Sequence, residues 1–149
     1  MNKKNVVVLS TALLLVLLDQ LTKFFIKQNL QLNQSIPIIK NILHLTYITN
    51  TGSAFGLFKG FNIIFIFFSI IVIFLIFYFL KEIKNEETML QFSVGLLLSG
   101  TIGNLIDRIF HGAVTDFIDL RIWPVFNIAD SAITISIIIL IIILSQQNT

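Results

Sequence analysis

Long apolar runs separated by short polar stretches dominate the chain. Four of them reach the roughly 20 residues needed to cross a hydrocarbon core, over about 6–26, 61–80, 89–106 and 128–144. Lipid offers no partner to a backbone N–H or C=O, so each run is expected to be a helix. The first follows Lys3 and Lys4 and opens like a secretory signal peptide. It has no small-x-small cleavage site and further spans follow, so it is expected to be retained. The second has no charge in twenty residues. The third carries Gly95, Ser99 and Gly103 at four-residue spacing, a face small enough for close approach by a neighbouring helix. The fourth is nearly pure Ile and Leu beyond Asp130.

The connections differ in character. Residues 81–88 form a short charged turn holding all three Glu residues. Residues 29–60 are long, contain Pro37, and include His44 to Thr49, with the β-branched and aromatic content of a strand. Residues 110–126 read as a shorter loop bearing Asp116, Asp119, Arg121, Trp123 and Pro124. Four crossings put both chain ends and the 81–88 turn on one side, and both long loops on the other. The expected architecture is an all-α membrane protein, with residues 1–149 forming one integral membrane domain.

Composition strengthens that reading. Hydrophobic residues make up 56% of the chain and charged residues 12%, about half the ~25% usual in soluble domains. The mean hydropathy is +0.92. The net charge of +2 is too small and too dispersed to form a basic stripe, so no nucleic-acid partner is expected. Without Cys there is no thiolate nucleophile or thiolate metal site, and His44 and His111 form no His-Glu-x-x-His pattern. No metal is expected.

The carboxyl groups then change the picture. Asp19 lies near the far end of the first span, Asp107 closes the third, Asp116 and Asp119 follow it, and Asp130 opens the fourth. All five Asp residues therefore gather at one membrane face, where ionisable groups are costly and point to function. Structural roles are open to several of them. Asp19 and Lys23, one turn apart, can pair. Asp107 abuts Arg108 as a possible buried pair, and Asp119 can pair with Arg121 while facing solvent. Asp130 can cap the fourth helix. Asp116 and Asp130 have no Lys or Arg within four residues. Two such carboxyls held together share one proton and can do acid–base chemistry on a water. A Ser–Lys dyad has Ser53 and Lys59 as its loop candidate, but Ser53 sits in a Gly-rich turn that explains it.

Five ordered motifs resemble those of lipoprotein signal peptidase, the signal peptidase II family of membrane aspartic peptidases. They are Asp19-Gln-Leu-Thr-Lys23, Asn50-Thr-Gly-Ser-Ala-Phe-Gly56, Gly103-Asn-Leu-Ile-Asp-Arg108, Val114-Thr-Asp-Phe-Ile-Asp119 and Phe126-Asn-Ile-Ala-Asp130. The resemblance implies that Asp116 and Asp130 are the catalytic pair. Asn104, Arg108 and Asn127 match positions that line and support the site, and Asp107 a mainly structural one. Asp19, Lys23, Asn50 and Gly52 match positions around the substrate pocket. Ser53 and Ser99 depart from the family pattern, replacing small by small.

The implied reaction is hydrolysis of a diacylglyceryl-modified prolipoprotein just before its lipidated Cys, with no covalent intermediate and no cofactor. Implied partners are these precursors and membrane lipids, with the chain expected to act as a monomer. The implied fold adds a small extracytoplasmic β element and a short surface helix over the site. The implied location is the bacterial cytoplasmic (inner) membrane, with both termini cytoplasmic and the active site outward. Lys and Arg flank both sides, so charge bias does not decide orientation. The rival reading is a small proton- or cation-coupled carrier. It requires ionisable groups along a path through the bilayer, whereas here the second and third spans are charge-free and the acids crowd one edge.

Overall fold

The computed structural model describes residues 3–52, 60–84 and 87–147. Four helices, each long and apolar enough to cross a membrane, account for most of them. Helix α1 is Lys3–Asn29, α2 is Asn62–Phe79, α3 is Thr88–His111 and α4 is Ile128–Gln147. A 3-10 turn, Leu80–Glu82, follows α2. All four expected spans are present, each ending within about a turn of its anticipated limits except α3, which runs five residues further, to His111.

Helix α3 is the central element: 56% of its most apolar window is buried, against 6–17% for the other three. Its small residues explain why. A Cβ on Gly95 would sit 2.8 Å from the Thr11 side chain and 2.9 Å from Val8 O, so α1 lies directly on this face. A Cβ on Gly100 would collide with the Ala129 carbonyl oxygen and lie 2.6 Å from Ile133, so α4 lies on another. Gly103 faces Asp19 Oδ2, 2.7 Å from where a Cβ would stand. Between α1, α2 and α3, Val8, Ala12, Ile76, Leu80 and Leu98 form an apolar core. The burial of Val8 and Ala12 within it shows α1 to be an integral part of the bundle. The outer faces of α1, α2 and α4 carry exposed Leu, Ile and Phe, the surface expected to meet lipid tails.

The remaining structure is a three-stranded antiparallel sheet in the order β1-β2-β3. Strand β1 is Ser35–Ile39, β2 is Leu43–Asn50 and β3 is Val114–Asp119. β2 is the strand expected over His44 to Thr49. β1 holds Pro37, which cannot donate to a ladder and is tolerated at the sheet edge. β3 corrects the reading of residues 110–126 as loop. Its two Asp residues disfavour a strand, but Val114, Thr115, Phe117 and Ile118 supply β-forming side chains between them. Gly112, at φ +72°, ends α3 and turns the chain into β3. Phe117 then joins Ile26 of α1 and Leu30, just beyond its end, in a second apolar cluster, which docks the sheet on the bundle. The expected short surface helix has no counterpart among the described residues, and Ser53 and Lys59 lie outside them.

Candidate active site

The first turn of α4 organises the site. Asn127 caps the helix: its Oδ1 accepts the Asp130 N–H at 2.8 Å, and the Asn127 N–H donates to Asp130 Oδ2 at 3.2 Å. This is a reciprocal capping box, with Asp in the place usually held by Glu or Gln. Asp130 is therefore a cap, as its local sequence allowed, but capping engages only one of its oxygens. Its Oδ1 accepts from Asn104 Nδ2 at 2.7 Å.

The Asn127 amide also reaches the neighbouring strand. Its Nδ2 donates to Asp116 Oδ1 at 2.7 Å, and Asn50 Nδ2, on β2, donates to Asp116 Oδ2 at 3.2 Å. One asparagine thus holds both carboxyls, one through its side chain and one through its backbone. No Lys, Arg or His lies within ion-pairing distance of either among the described residues. Burial, and then the negative charge of Asp130, push the Asp116 carboxyl up from 3.8 to about 7. The hydrogen bonds from Asn50 and Asn127, and the Lys23 ammonium beyond, pull the other way and are outweighed.

Both carboxyls border a cavity of about 630 Å³, walled mainly by apolar side chains including Trp123, Phe126 and Ile133. A smaller apolar cleft between α2, α3 and α4 meets it at Asn104, Arg108, Asp130 and Ile133. Arg108 lies where the two join. Its NH2 group donates to Gly52 O at 3.2 Å, and its guanidinium lies over the Phe65 ring, 5.0 Å from the centroid. The Asp107–Arg108 pair, one of the roles the sequence left open, does not form, because adjacent residues on a helix point in different directions. Asp107 turns instead to Lys23, at 3.2 Å, and accepts the Thr115 N–H at 2.9 Å. This bond pins β3 to α3 one residue before Asp116.

Asp19 and Lys23 do pair, at 2.8 Å, and both are buried. They lie behind the carboxyl pair and line neither cavity, whereas Asn50, Gly52, Asn104 and Arg108 line the larger one. Asp119 pairs with Arg121 at 3.0 Å as anticipated, but it is buried and does not face solvent. Burial works against its charge, yet hydrogen bonds from Thr46, the Arg121 N–H and the Arg121 guanidinium hold its carboxyl below the usual range. Phe65 was not legible as a site residue, since nothing distinguishes it within an uncharged run.

The match to the family model described as Signal peptidase (SPase) II extends over residues 11–146. The chain belongs to the signal peptidase II family. It is a multi-pass membrane peptidase. The lipoprotein signal peptidase of Halothermothrix orenii is 45% identical over 137 residues, covering 91% of this chain and 93% of that protein. That of Moorella thermoacetica is 45% identical over 129 residues, covering 87% and 86%. A bacterial membrane enzyme solved by the in meso method at 2.3 Å superposes with a TM-score of 0.90 at 35% identity, covering 95% of this chain and 89% of that one. A second, at 1.9 Å, gives 0.84 at 35% identity, covering 92% and 91%.

Proposed function

We propose that this protein is an aspartic endopeptidase that removes the signal peptide from diacylglyceryl-modified prolipoproteins. It cuts the peptide bond just before the lipidated Cys, with Asp116 and Asp130 as its catalytic pair. The observation that carries this reading is the double hold of Asn127 on both carboxyls at the edge of an apolar cavity. A buried carboxyl, Asp116, and a half-buried one, Asp130, so placed share one proton. The proton is assigned to Asp116, whose carboxyl is raised to about 7, which leaves Asp130 to act as the base.

Asp130 takes a proton from a water as its oxygen attacks the scissile carbonyl. Asp116 donates a hydrogen bond, then its proton, to the carbonyl oxygen. Collapse of the tetrahedral intermediate breaks the C–N bond, and the proton held by Asp130 passes to the leaving amine. The proton on the former carbonyl oxygen returns to Asp116, and the signal peptide leaves as a carboxylic acid. The Arg108 guanidinium at the junction of the two cavities is a donor for substrate carbonyls. No cofactor or metal enters these steps.

The apolar walls suit a substrate delivered from lipid, with the acyl chains of the modified Cys anchored in the bilayer and the scissile bond held at its edge. The enzyme works as a monomer in the bacterial cytoplasmic membrane, with both termini in the cytoplasm and the active site outward. The test compares cleavage by the purified protein of one precursor with and without its diacylglyceryl group. Cleavage of the lipidated form at least tenfold faster is expected, and equal cleavage of the two overturns the substrate assignment.

A further inference from the structure

We propose that Lys23 is a positioning residue for the aspartyl pair, acting through the side-chain amide of Asn104. This rests on the Asp116–Asp130 reading above. Lys23 is 1% exposed and lines neither cavity, so it does not touch substrate. Its ammonium has three partners: Asp19 Oδ2 at 2.8 Å, Asp107 Oδ2 at 3.2 Å and Asn104 Oδ1 at 3.1 Å. The two acids account for its burial as a charge. The third contact, to a neutral amide oxygen, connects it to the site.

An ammonium only donates hydrogen bonds, so Asn104 must turn its oxygen toward Lys23. The amide is planar, and its NH2 therefore faces Asp130 Oδ1, which it reaches at 2.7 Å. Asn127 Nδ2 donates to the same Asn104 oxygen at 3.1 Å and strengthens the choice. With the amide turned over, its NH2 would confront two donors and its oxygen would confront a carboxylate. Two hydrogen bonds thus run from α1 through Asn104 to Asp130. Asp19 holds the same turn of α4 independently, accepting the Ala129 N–H at 3.0 Å.

The test uses Lys23→Met/Asp107→Asn, which removes the donor and leaves the net charge of the Lys23, Asp19 and Asp107 cluster unchanged at −1. Turnover of a diacylglyceryl-modified precursor is measured on purified protein that retains its cooperative thermal transition. We expect kcat to fall about 10- to 100-fold, the scale of one charge-assisted hydrogen bond, with KM within twofold of the parent. Asp107→Asn alone keeps Lys23 and its bond to Asn104, and its amide oxygen can still accept the Thr115 N–H, so its loss of kcat is expected to be several-fold smaller than that of the pair. Adding Asn104→Ala to the pair is expected to lower kcat no further than Asn104→Ala does alone. Unchanged kcat in the folded pair, losses that multiply, or an equal loss from Asp107→Asn alone overturns the proposal.

Asn104→Asp gives Lys23 a stronger partner but removes the donor facing Asp130, and it is expected to fold and lose kcat. Parental kcat there overturns the proposal even if the paired variant does not fold. Asp130→Asn separates the two levels: turnover by that variant defeats the aspartyl reading itself. An inactive Asp130→Asn beside a fully active Lys23 pair defeats only the role of Lys23.

Discussion

Replacing Asp116 by Asn should raise the stability of the folded protein relative to the parent progressively as pH rises from acid to alkaline. The folded state raises this carboxyl from 3.8 to about 7, so between those values the folded protein keeps a proton that the unfolded chain has released. Stability therefore falls as pH rises through this window and levels off above it. At 1.36 kcal/mol per pH unit, the displacement amounts to about 4 kcal/mol as a ceiling. Asparagine does not titrate and escapes this cost. It also turns an NH2 toward Asn50 or Asn127, which costs on the order of 1–3 kcal/mol but equally at every pH. The change in the stability difference between pH 4.5 and pH 8.5 isolates the ionisation. At roughly 2–4 °C per kcal/mol for a chain of this size, the variant should gain up to about 10 °C in apparent Tm relative to the parent across that range. Thermal unfolding of both proteins in the same detergent, at the same scan rate, is the assay. A Tm difference independent of pH, or one that moves in favour of the parent as pH rises, refutes the argument that Asp116 is a buried carboxyl crowded by a second one.

Other outcomes follow from the same geometry. Gly100→Ala places a Cβ against the Ala129 carbonyl and Ile133, so α4 must shift. A loss of about 1–3 kcal/mol is expected together with reduced turnover, both readable from Tm and kcat. Asp119→Asn should retain kcat within a few-fold, because Asp119 ties Thr46 to Arg121 and lines neither cavity. Its carboxyl is held below the usual range, so the stability it contributes is lost as pH falls through that lowered value, and the parent's advantage over Asp119→Asn in Tm should shrink in acid. The pH profile of kcat/KM should decline on its alkaline side with an apparent midpoint near 7, as Asp116 releases the shared proton, and a flat profile from pH 6 to 9 contradicts this.

The spans were legible because a bilayer imposes length and hydropathy on any segment that crosses it, and the Gly95, Ser99 and Gly103 spacing pointed to a face open to close helix approach, which α1 meets at Gly95 and Gly103. Strand β3 was hidden because the residues that make it useful, Asp116 and Asp119, are poor strand formers. Its pairing with β2 spans more than sixty residues of sequence. Local charge pairing gave Asp19–Lys23 and Asp119–Arg121, where helix or turn geometry brings neighbours together. It failed for Asp107 and Arg108, which the helix points apart. The isolation of Asp116 and Asp130 from nearby cations could be read from the chain. Their common partner Asn127 could not, since capping α4 and bridging to β3 are one event only in the folded state.

The central claim is that two carboxyls, from β3 and the start of α4, act together on water. Its most direct test is single-turnover cleavage of a diacylglyceryl-modified precursor by purified, folded Asp116→Asn and Asp130→Asn. Each is predicted to lose at least about a thousandfold in rate, with precursor binding retained. Cleavage by either variant within tenfold of the parent would contradict the account.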